Sequence, residues 1–404
     1  MLCIRFVSDS RGGVAPLLAL AMIPIIGTIG AAVDYSRANA TKAAMQSALD
    51  ATGLALAKQS ATGAQVNTND YFNANFVRPE VTNLDVVTNT SMVPGGTLLS
   101  LSATGKIKTQ LIGLLGFSAL TVTTNSSVVA ASDGLGCVLS LNKTASGAIT
   151  GQGSTTVELK GCSLYDNSAN ASALSVGGSA KISAYSIGVV GGISGGSGLL
   201  ADHGIRTGIG PIADPYADRN FPSFSGCTEN NFKAKDPVTI NPGVYCGGIS
   251  INAGAVLTLN PGIYFLDGGD LTVNGGATLS GTGVTLVFTK QSRSTFANAS
   301  LNGKGNVYLT APKYGPTAGI VMFGDRSMPV GTEFKLNGGS TQYLGGAIYL
   351  PKGAINYSGN AATSTSCTQI IGDTVTFTGN SAVAINCSNH ETKPFSAWTV
   401  RLAS

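Results

Sequence analysis

The chain has 404 residues, of which 54 are glycine, 43% are hydrophobic and only 11% are charged. This composition excludes a disordered protein, which combines high charge with few apolar residues, and the lack of a three-residue glycine period excludes collagen. A net charge of +4 is too small for a nucleic-acid-binding surface, so no nucleic-acid partner is expected.

The first predicted element is a membrane-spanning helix. The run from Gly12 to Val33 contains no charged residue, and its last twenty residues are almost wholly apolar. Twenty helical residues extend about 30 Å, which matches the hydrocarbon core of a bilayer. Because Arg5 and Arg11 precede the run and Asp34 follows it, the flanking charges favour a cytoplasmic N-terminus.

A cleaved signal peptide is the alternative, since residues 30–32 are small enough for a cleavage site. The apolar run is longer than a usual signal peptide, and helical periodicity continues past it through Met45, Ala48, Leu49 and Leu56. A retained anchor with a helical continuation over residues 1–60 is therefore favoured. Both alternatives export the rest of the chain.

Residues 61–136 predict a small α+β domain. The segments Val81–Thr90, Leu98–Lys108 and Leu120–Ala131 have the composition of strands, and Thr109–Phe117 has the pattern of a short amphipathic helix.

Residues 137–404 are rich in glycine and contain short apolar segments, which predict short strands. A long loop is predicted at 191–236. The sequence Asn-Pro-Gly-Val-Tyr at 241–245 recurs as Asn-Pro-Gly-Ile-Tyr at 260–264. A repeat near twenty residues with short apolar strands favours a parallel β-solenoid, and a β-sandwich is the alternative. In a solenoid, Val244 should lie over Ile263 and Tyr245 over Tyr264.

Six cysteines follow the predicted anchor, whereas Cys3 precedes it. An even exported set predicts disulfides, for which 15 connectivities exist, and pairing of sequence neighbours is the simplest; buried free thiols are the alternative. A metal site is not expected, because no Cys-x-x-Cys occurs and only two histidines are present. The neighbour pairs are Cys137–Cys162, Cys227–Cys246 and Cys367–Cys387.

Three N-terminal stretches form a long motif: RGGVAP at 11–16, GAAVDYSR at 30–37 and MQSALDAT at 45–52. They resemble TadG-type proteins of the tight-adherence (Flp) pilus assembly system of bacteria. The resemblance implies a non-enzymatic, single-pass inner-membrane protein whose bulk is periplasmic or on the cell surface. It also implies membrane lipid, pseudopilin-like subunits and other tight-adherence proteins as partners. The family motif positions are Gly12, Pro16, Asp34, Gln46 and Asp50.

Two weaker parts of the resemblance concern the rest of the chain. Thr109 and residues 115–117 make the α+β domain resemble the pilin-like continuation of the family. Cys137, the Gly161-Cys162 pair and the Pro-Gly-x-Tyr repeats resemble the C-terminal region of one TadG subgroup.

The sequence also departs from the family. The metal motif of von Willebrand A-like domains is incomplete at 166–170, where Asp-Asn-Ser-Ala-Asn lacks the second serine, and Leu18 stands where prepilin processing would need glutamate. Metal-dependent adhesion and prepilin cleavage are therefore not expected, and no cofactor is expected.

Two other functions are alternatives. A surface adhesin would use the solenoid face for binding. A polysaccharide-active β-helix enzyme would use acidic and histidine side chains such as Asp202, His203, Asp267 and Asp270. The last two fit turn positions better, because Asp and Gly favour corners.

Overall fold

The computed structural model describes residues 14–62, 67–93, 96–291, 293–337, 342–359, 367–387 and 391–403. Its contacts divide the chain into two compact units: residues 1–132 together with 398–404, and Asp133–Ala397. The C-terminal strand Trp398–Leu402 thus belongs to the first unit, although it comes last in the chain.

The first unit contains two helices, α1 (Val14–Thr62) and α2 (Thr68–Asn75), and an antiparallel sheet. The strands β1, β2 and β3 are Val81–Val93, Gly96–Lys108 and Ala119–Ser132. The sheet is ordered β1-β2-β3 followed by the C-terminal strand Trp398–Leu402, which pairs with β3. The three predicted strands are thus present, each somewhat longer than predicted.

The predicted helix at Thr109–Phe117 is wrong, because the structure has only a single 3-10 turn at Ile112–Leu115. Strands β2 and β3 pair as far as Lys108 and Ala119, and the backbone N–H of Thr109 donates to the carbonyl of Ser118. This pairing closes a hairpin, which leaves room for one turn only.

The C-terminal part of α1 packs on the sheet of the first unit. Its buried side chains recur at helical spacing, as the apolar stripe predicted. Gly53 lies close to the sheet, since a Cβ there would be 2.7 Å from Cγ2 of Val128. The core of the helix and sheet contains Met45, Ala48, Leu49, Leu56, Leu99, Leu101, Val122 and Val128.

The strands of the second unit are mostly short, and their pairings are parallel. An isolated antiparallel bridge joins Cys367 and Ile385. The first ten strands of the unit are β4 (Gly136–Ser140), β5 (Ile149–Gly151), β6 (Thr156–Lys160), β7 (Ser163–Asp166), β8 (Leu174–Val176), β9 (Lys181–Ala184), β10 (Ile187–Val189), β11 (Ile193–Ser194), β12 (Leu199–Ala201) and β13 (Ile205–Thr207). The next seven are β14 (Glu229–Ala234), β15 (Val238–Ile240), β16 (Gly243–Ile251), β17 (Val256–Leu259), β18 (Gly262–Asp267), β19 (Leu271–Val273) and β20 (Thr278–Thr282). The last seven are β21 (Val284–Thr289), β22 (Ala299–Leu301), β23 (Asn306–Thr310), β24 (Ile320–Gly324), β25 (Thr332–Leu336), β26 (Tyr343–Gly359) and β27 (Thr368–Ala384).

These strands form three rows, which the chain visits in turn. Most strands pair with the strand three further along, as β17 does with β20 and β18 with β21. Row A contains β18, β21, β24, β4, β7, β10 and β13, with one part each of β14, β16, β26 and β27. Row B contains β19, β22, β25, β5, β8 and β11, with other parts of the same four strands. Row C contains β15, β17, β20, β23 and the start of β26, and separately β6, β9 and β12 with the end of β27.

Parallel pairing excludes the β-sandwich alternative for this unit, because sandwich sheets are antiparallel. Inward-facing side chains such as Leu257, Leu279 and Val307 pair between neighbouring strands of row C and are buried in one continuous core. The hydrogen bonds between strands satisfy the backbone, while the core supplies the hydrophobic stabilisation.

The predicted register is wrong by two residues. Val244 pairs with Phe265 and Gly243 with Tyr264, so the strand offset is 21 residues, whereas the sequence repeat has a period of 19. Side chains alternate between faces with a period of two, so a shift of two residues preserves the face. The rings of Tyr245 and Tyr264 therefore still stack, with centroids 5.8 Å apart.

The predicted long loop at 191–236 is also partly wrong, since it contains β11, β12, β13 and β14. Only the segment 208–228, named the strap here, lacks strands. The strand pairing explains the course of the strap. Because β4 pairs with β27, residues 136–207 extend the stack of strands beyond β27. Strand β14, which follows the strap, lies at the opposite end of the stack. The strap connects these two ends.

Aromatic side chains hold the strap on the outer side of row A. The ring of Phe221 lies 5.3 Å from that of Phe323, and the ring of Phe224 lies 4.4 Å from that of Phe265. The apolar side chains of the strap thus cover apolar side chains that row A directs away from the central core.

Candidate functional site at the N-terminal helix

The N-terminal part of α1 exposes a continuous apolar surface. Leu17, Leu20 and Ile23 are exposed by 69%, 70% and 64%, and further exposed apolar side chains follow as far as Val33. The most apolar part of the helix is only 11% buried, unlike the core helix of a soluble protein, and it is long enough to cross a membrane. A single N-terminal helix thus suits single-pass membrane anchoring.

Asp34 fixes the helix to the β2–β3 loop directly after the predicted span. Its side chain is buried, and its carboxylate accepts hydrogen bonds from the backbone N–H groups of Gln110, Leu111 and Ile112 at 2.9–3.2 Å. A carboxylate at this place satisfies the free N–H groups that begin the 3-10 turn. Arg37 lies 3.7 Å from the same carboxylate.

Gly30 permits the close approach that this contact needs. A Cβ at Gly30 would lie 2.6 Å from Cβ of Leu111, so a larger residue would push the loop away from the helix. In the sequence, Gly30 belongs to the small residues at 30–32 and begins the motif at 30–37, and neither pattern indicates this contact. Its partner is distant in sequence, and nothing local in the sequence indicates the contact.

Gln46 and Asp50 form a second junction, one turn apart on the helix. The Nε2 group of Gln46 donates to Oδ1 of Asp50 at 2.9 Å and to the carbonyl of Asn125 in β3 at 3.0 Å. Gln46 therefore attaches the helix to the sheet, and Asp50 accepts from the same amide group. Of the other motif residues, Pro16 lies in the first turns of α1, and Gly12 lies outside the described residues.

The six cysteines that follow α1 form three disulfides in the second unit: Cys137–Cys162, Cys227–Cys246 and Cys367–Cys387. They close sequence separations of 25, 19 and 20 residues and are the pairs of sequence neighbours. Cys3 lies outside the described residues.

The side chains considered for catalysis do not come together. Asp202 and His203 follow β12, near the end of the stack where β13 lies, whereas Asp267 and Asp270 flank the bend between β18 and β19 near the opposite end. Asp267 accepts from the backbone N–H of Gln291, and Asp270 accepts from that of Asn298. Both carboxylates therefore hold neighbouring backbone, as expected at corners.

The incomplete metal motif at 166–170 also has a structural role. Oδ1 of Asp166 accepts from the backbone N–H of Ser168, while its Oδ2 is buried with no hydrogen-bond partner among the described residues. Within the described ranges, no group of three or more His, Cys, Asp or Glu side chains could hold a metal ion.

Burial raises the pKa of Asp166 to about 6, above its ordinary 3.8. Because the unfolded chain loses this proton first, the free energy of unfolding should fall as pH rises from about 4 to about 6, by about 3 kcal/mol from this group alone. Asp166→Asn should remove this part of the pH dependence in urea unfolding measured across that range. Asp270→Asn is the matched control and should keep it; an unchanged pH profile in Asp166→Asn would contradict the assignment.

The chain thus belongs to the class of proteins in which an exposed apolar N-terminal helix is followed by a mainly-β region. Residues 12–58 match the family model described as a putative Flp pilus-assembly TadE/G-like domain, as the resemblance predicted. A domain of this family implies interaction with the pilus assembly machinery and a structural or assembly role. No curated protein and no solved structure matches the chain.

Proposed function

We propose that the protein is a non-enzymatic, membrane-anchored component of tight-adherence (Flp) pilus assembly. The observation that carries this proposal is the division of α1: its exposed apolar part fits a bilayer, and its buried part packs on a sheet. The match over residues 12–58 spans both parts of this helix. In this proposal the N-terminus is cytoplasmic, and the bulk of the chain is periplasmic or on the cell surface.

In this proposal the first unit is pilin-like, and the support is that a long helix with an exposed apolar N-terminal part packs on an antiparallel sheet. This arrangement would let α1 lie beside the helices of pseudopilin-like subunits within the membrane. Asp34, Gln46 and Asp50 would then keep the anchor at a fixed angle to the exported sheet. Pseudopilin-like subunits are thus the proposed partners within the membrane, together with lipid.

The second unit is proposed to be a parallel β-solenoid that presents a binding surface. The support is the regular pairing of strands three apart in the chain and the three-row order of the stack. Its disulfides suit an oxidising compartment outside the cytoplasm. A solenoid is stiff and extended, so it would hold its outward side chains in fixed rows for a partner.

A photo-crosslinking residue in place of Leu20 tests the membrane partner. Leu20 is 70% exposed in the apolar part of α1, so we expect it to crosslink a pseudopilin-like subunit in living cells, detected by mass spectrometry. The same residue in place of exposed Lys160 in the second unit is the control and should not capture that subunit. Recovery of no tight-adherence protein from either position would contradict the proposal.

A further inference from the structure

One face of the second unit carries a row of outward hydroxyl groups. In row C, hydrogen-bonded strands place one residue of each strand in line along the stack. Neighbouring strands lie about 4.8 Å apart, which sets the spacing of this row. The row runs in the order Thr239, Thr258, Ser280, Tyr308 and Tyr343.

The strands that form this row contain no charged residue. Their sequences are VTI in β15, VLTL in β17, TLSGT in β20, NVYLT in β23 and YLG at the start of β26. Beside the row, Thr278 pairs with Asn306 and Thr282 with Thr310. Row B differs, because Lys233 and Lys335 both lie on its outer side. In the part of row C from β15 to the start of β26, the polar groups are therefore neutral hydroxyls and amides. The separate part of row C differs, because β6 and β9 contain Glu158, Lys160 and Lys181.

Two tyrosines form an aromatic platform in the row. Tyr308 is 53% exposed although it lies within a strand, and its ring centroid is 5.2 Å from that of Tyr343. The backbone N–H of Cys367 lies at 3.5 Å from the Tyr343 hydroxyl, in donating geometry. An exposed large aromatic side chain on a rigid strand loses little conformational entropy when a ligand covers it.

We propose that this face, Thr239, Thr258, Ser280, Tyr308 and Tyr343 with their neighbours, binds an extended neutral polysaccharide. The aliphatic C–H face of a pyranose ring packs on aromatic rings, and sugar hydroxyls exchange hydrogen bonds with Ser, Thr and Asn side chains. The strand spacing is comparable with the length of one sugar unit in an extended chain, so successive units meet successive strands. The lack of charge selects a neutral chain over an acidic one.

This inference deepens the proposed function, because it names a ligand class for the proposed binding surface. Polysaccharide binding is tested with the purified full-length protein in detergent, whereas pilus assembly is scored in cells. Failure of the polysaccharide proposal can therefore be distinguished from failure of the proposed role in pilus assembly. Isothermal titration calorimetry with cellohexaose and chitohexaose provides the neutral probes, and a galacturonate hexamer provides the acidic one.

We expect the wild-type protein to bind at least one neutral hexamer and to bind the acidic hexamer more weakly. Tyr308→Ala should weaken binding about tenfold through loss of the stacking contact. Ser280→Lys should also weaken it, because a lysine ammonium would be desolvated without a partner. Tyr314→Ala is the matched control. Tyr314 is 84% exposed but lies in the loop after β23, so this variant should bind the neutral hexamer with the wild-type affinity.

Four results would overturn the proposal. The first is no binding of either neutral hexamer by the wild-type protein. The second is tighter binding of the acidic hexamer than of the neutral ones. The third is equal binding by Tyr308→Ala and the wild type in proteins with the same thermal unfolding curve. The fourth is a dimer in analytical ultracentrifugation that Tyr308→Ala dissociates, because the face would then be covered by a second copy of the chain.

Discussion

The Met22→Arg substitution is expected to abolish membrane anchoring. Met22 lies in the middle of the exposed apolar part of α1, and an arginine at mid-span costs about 2.5–3.5 kcal/mol on insertion scales. The protein should shift from the membrane pellet to the soluble or degraded fraction after alkaline carbonate extraction, measured by immunoblot.

Met92→Arg provides the control for this experiment. Met92 is 85% exposed in β1 of the first unit, so the same change of side chain there should leave the protein in the membrane pellet. Retention of the Met22→Arg protein in the pellet, at the wild-type level, would contradict anchoring by this helix.

The Arg326→Met substitution is expected to destabilise the second unit by about 3 kcal/mol, because three hydrogen bonds of a charged group are lost. The guanidinium of Arg326 donates to the hydroxyl of Tyr349, to Oδ1 of Asn220 and to the carbonyl of Tyr216. The last two acceptors belong to the strap, so the substitution should loosen the strap from row A.

Tyr216 shows how deeply the strap is attached. It is fully buried, and its hydroxyl donates to Oε1 of Gln369 and accepts from the backbone N–H of Lys393. Without Arg326, strap peptides should exchange amide hydrogen faster, and the midpoint of urea unfolding should fall.

Arg293→Met is the control for Arg326→Met. Arg293 is exposed and donates to Oδ1 of Asn230 at 3.3 Å, so its loss should change the free energy of unfolding by less than about 0.5 kcal/mol. Equal unfolding midpoints for Arg326→Met and Arg293→Met would show that the strap is not held by this network.

The elements of this fold could be predicted where the sequence carries a local signal. The uncharged run before Asp34 predicts the exposed helix, and the apolar segments from 81 to 131 predict three strands. The short apolar segments between Gly and Asn predict the strands after Asp267, including Leu271–Val273 and Val284–Thr289. In each case the pattern reflects which side chains face water or the core.

Register and chain order could not be predicted, because they depend on contacts that the local pattern does not encode. The motif at 241–245 repeats after 19 residues, yet the paired strands are offset by 21. Pairing of β4 with β27 joins residues more than two hundred positions apart. The sequence pattern of neither strand identifies the other as its partner. The strap therefore resembles an ordinary loop in sequence, although Tyr216 is fully buried and Phe221 and Phe224 are partly buried.

The motif residues of the candidate site could be predicted from the sequence, but their contacts in the fold could not. Asp34, Gln46 and Asp50 are recognisable from the resemblance, whereas the partners of Asp34 lie 76–78 residues away in the β2–β3 loop. The outward row containing Ser280 and Tyr308 was also not apparent, because its successive members are 19 to 35 residues apart in strands of differing sequence.

Piliation of a strain that lacks this gene tests the central claim most directly. Electron microscopy should show loss of surface Flp pili, and the full-length chain supplied in trans should restore them. Supply of the Met22→Arg chain should not restore them, whereas the Met92→Arg chain should. A deletion strain with a normal number of pili but reduced surface attachment would contradict an assembly role and indicate an adhesin instead.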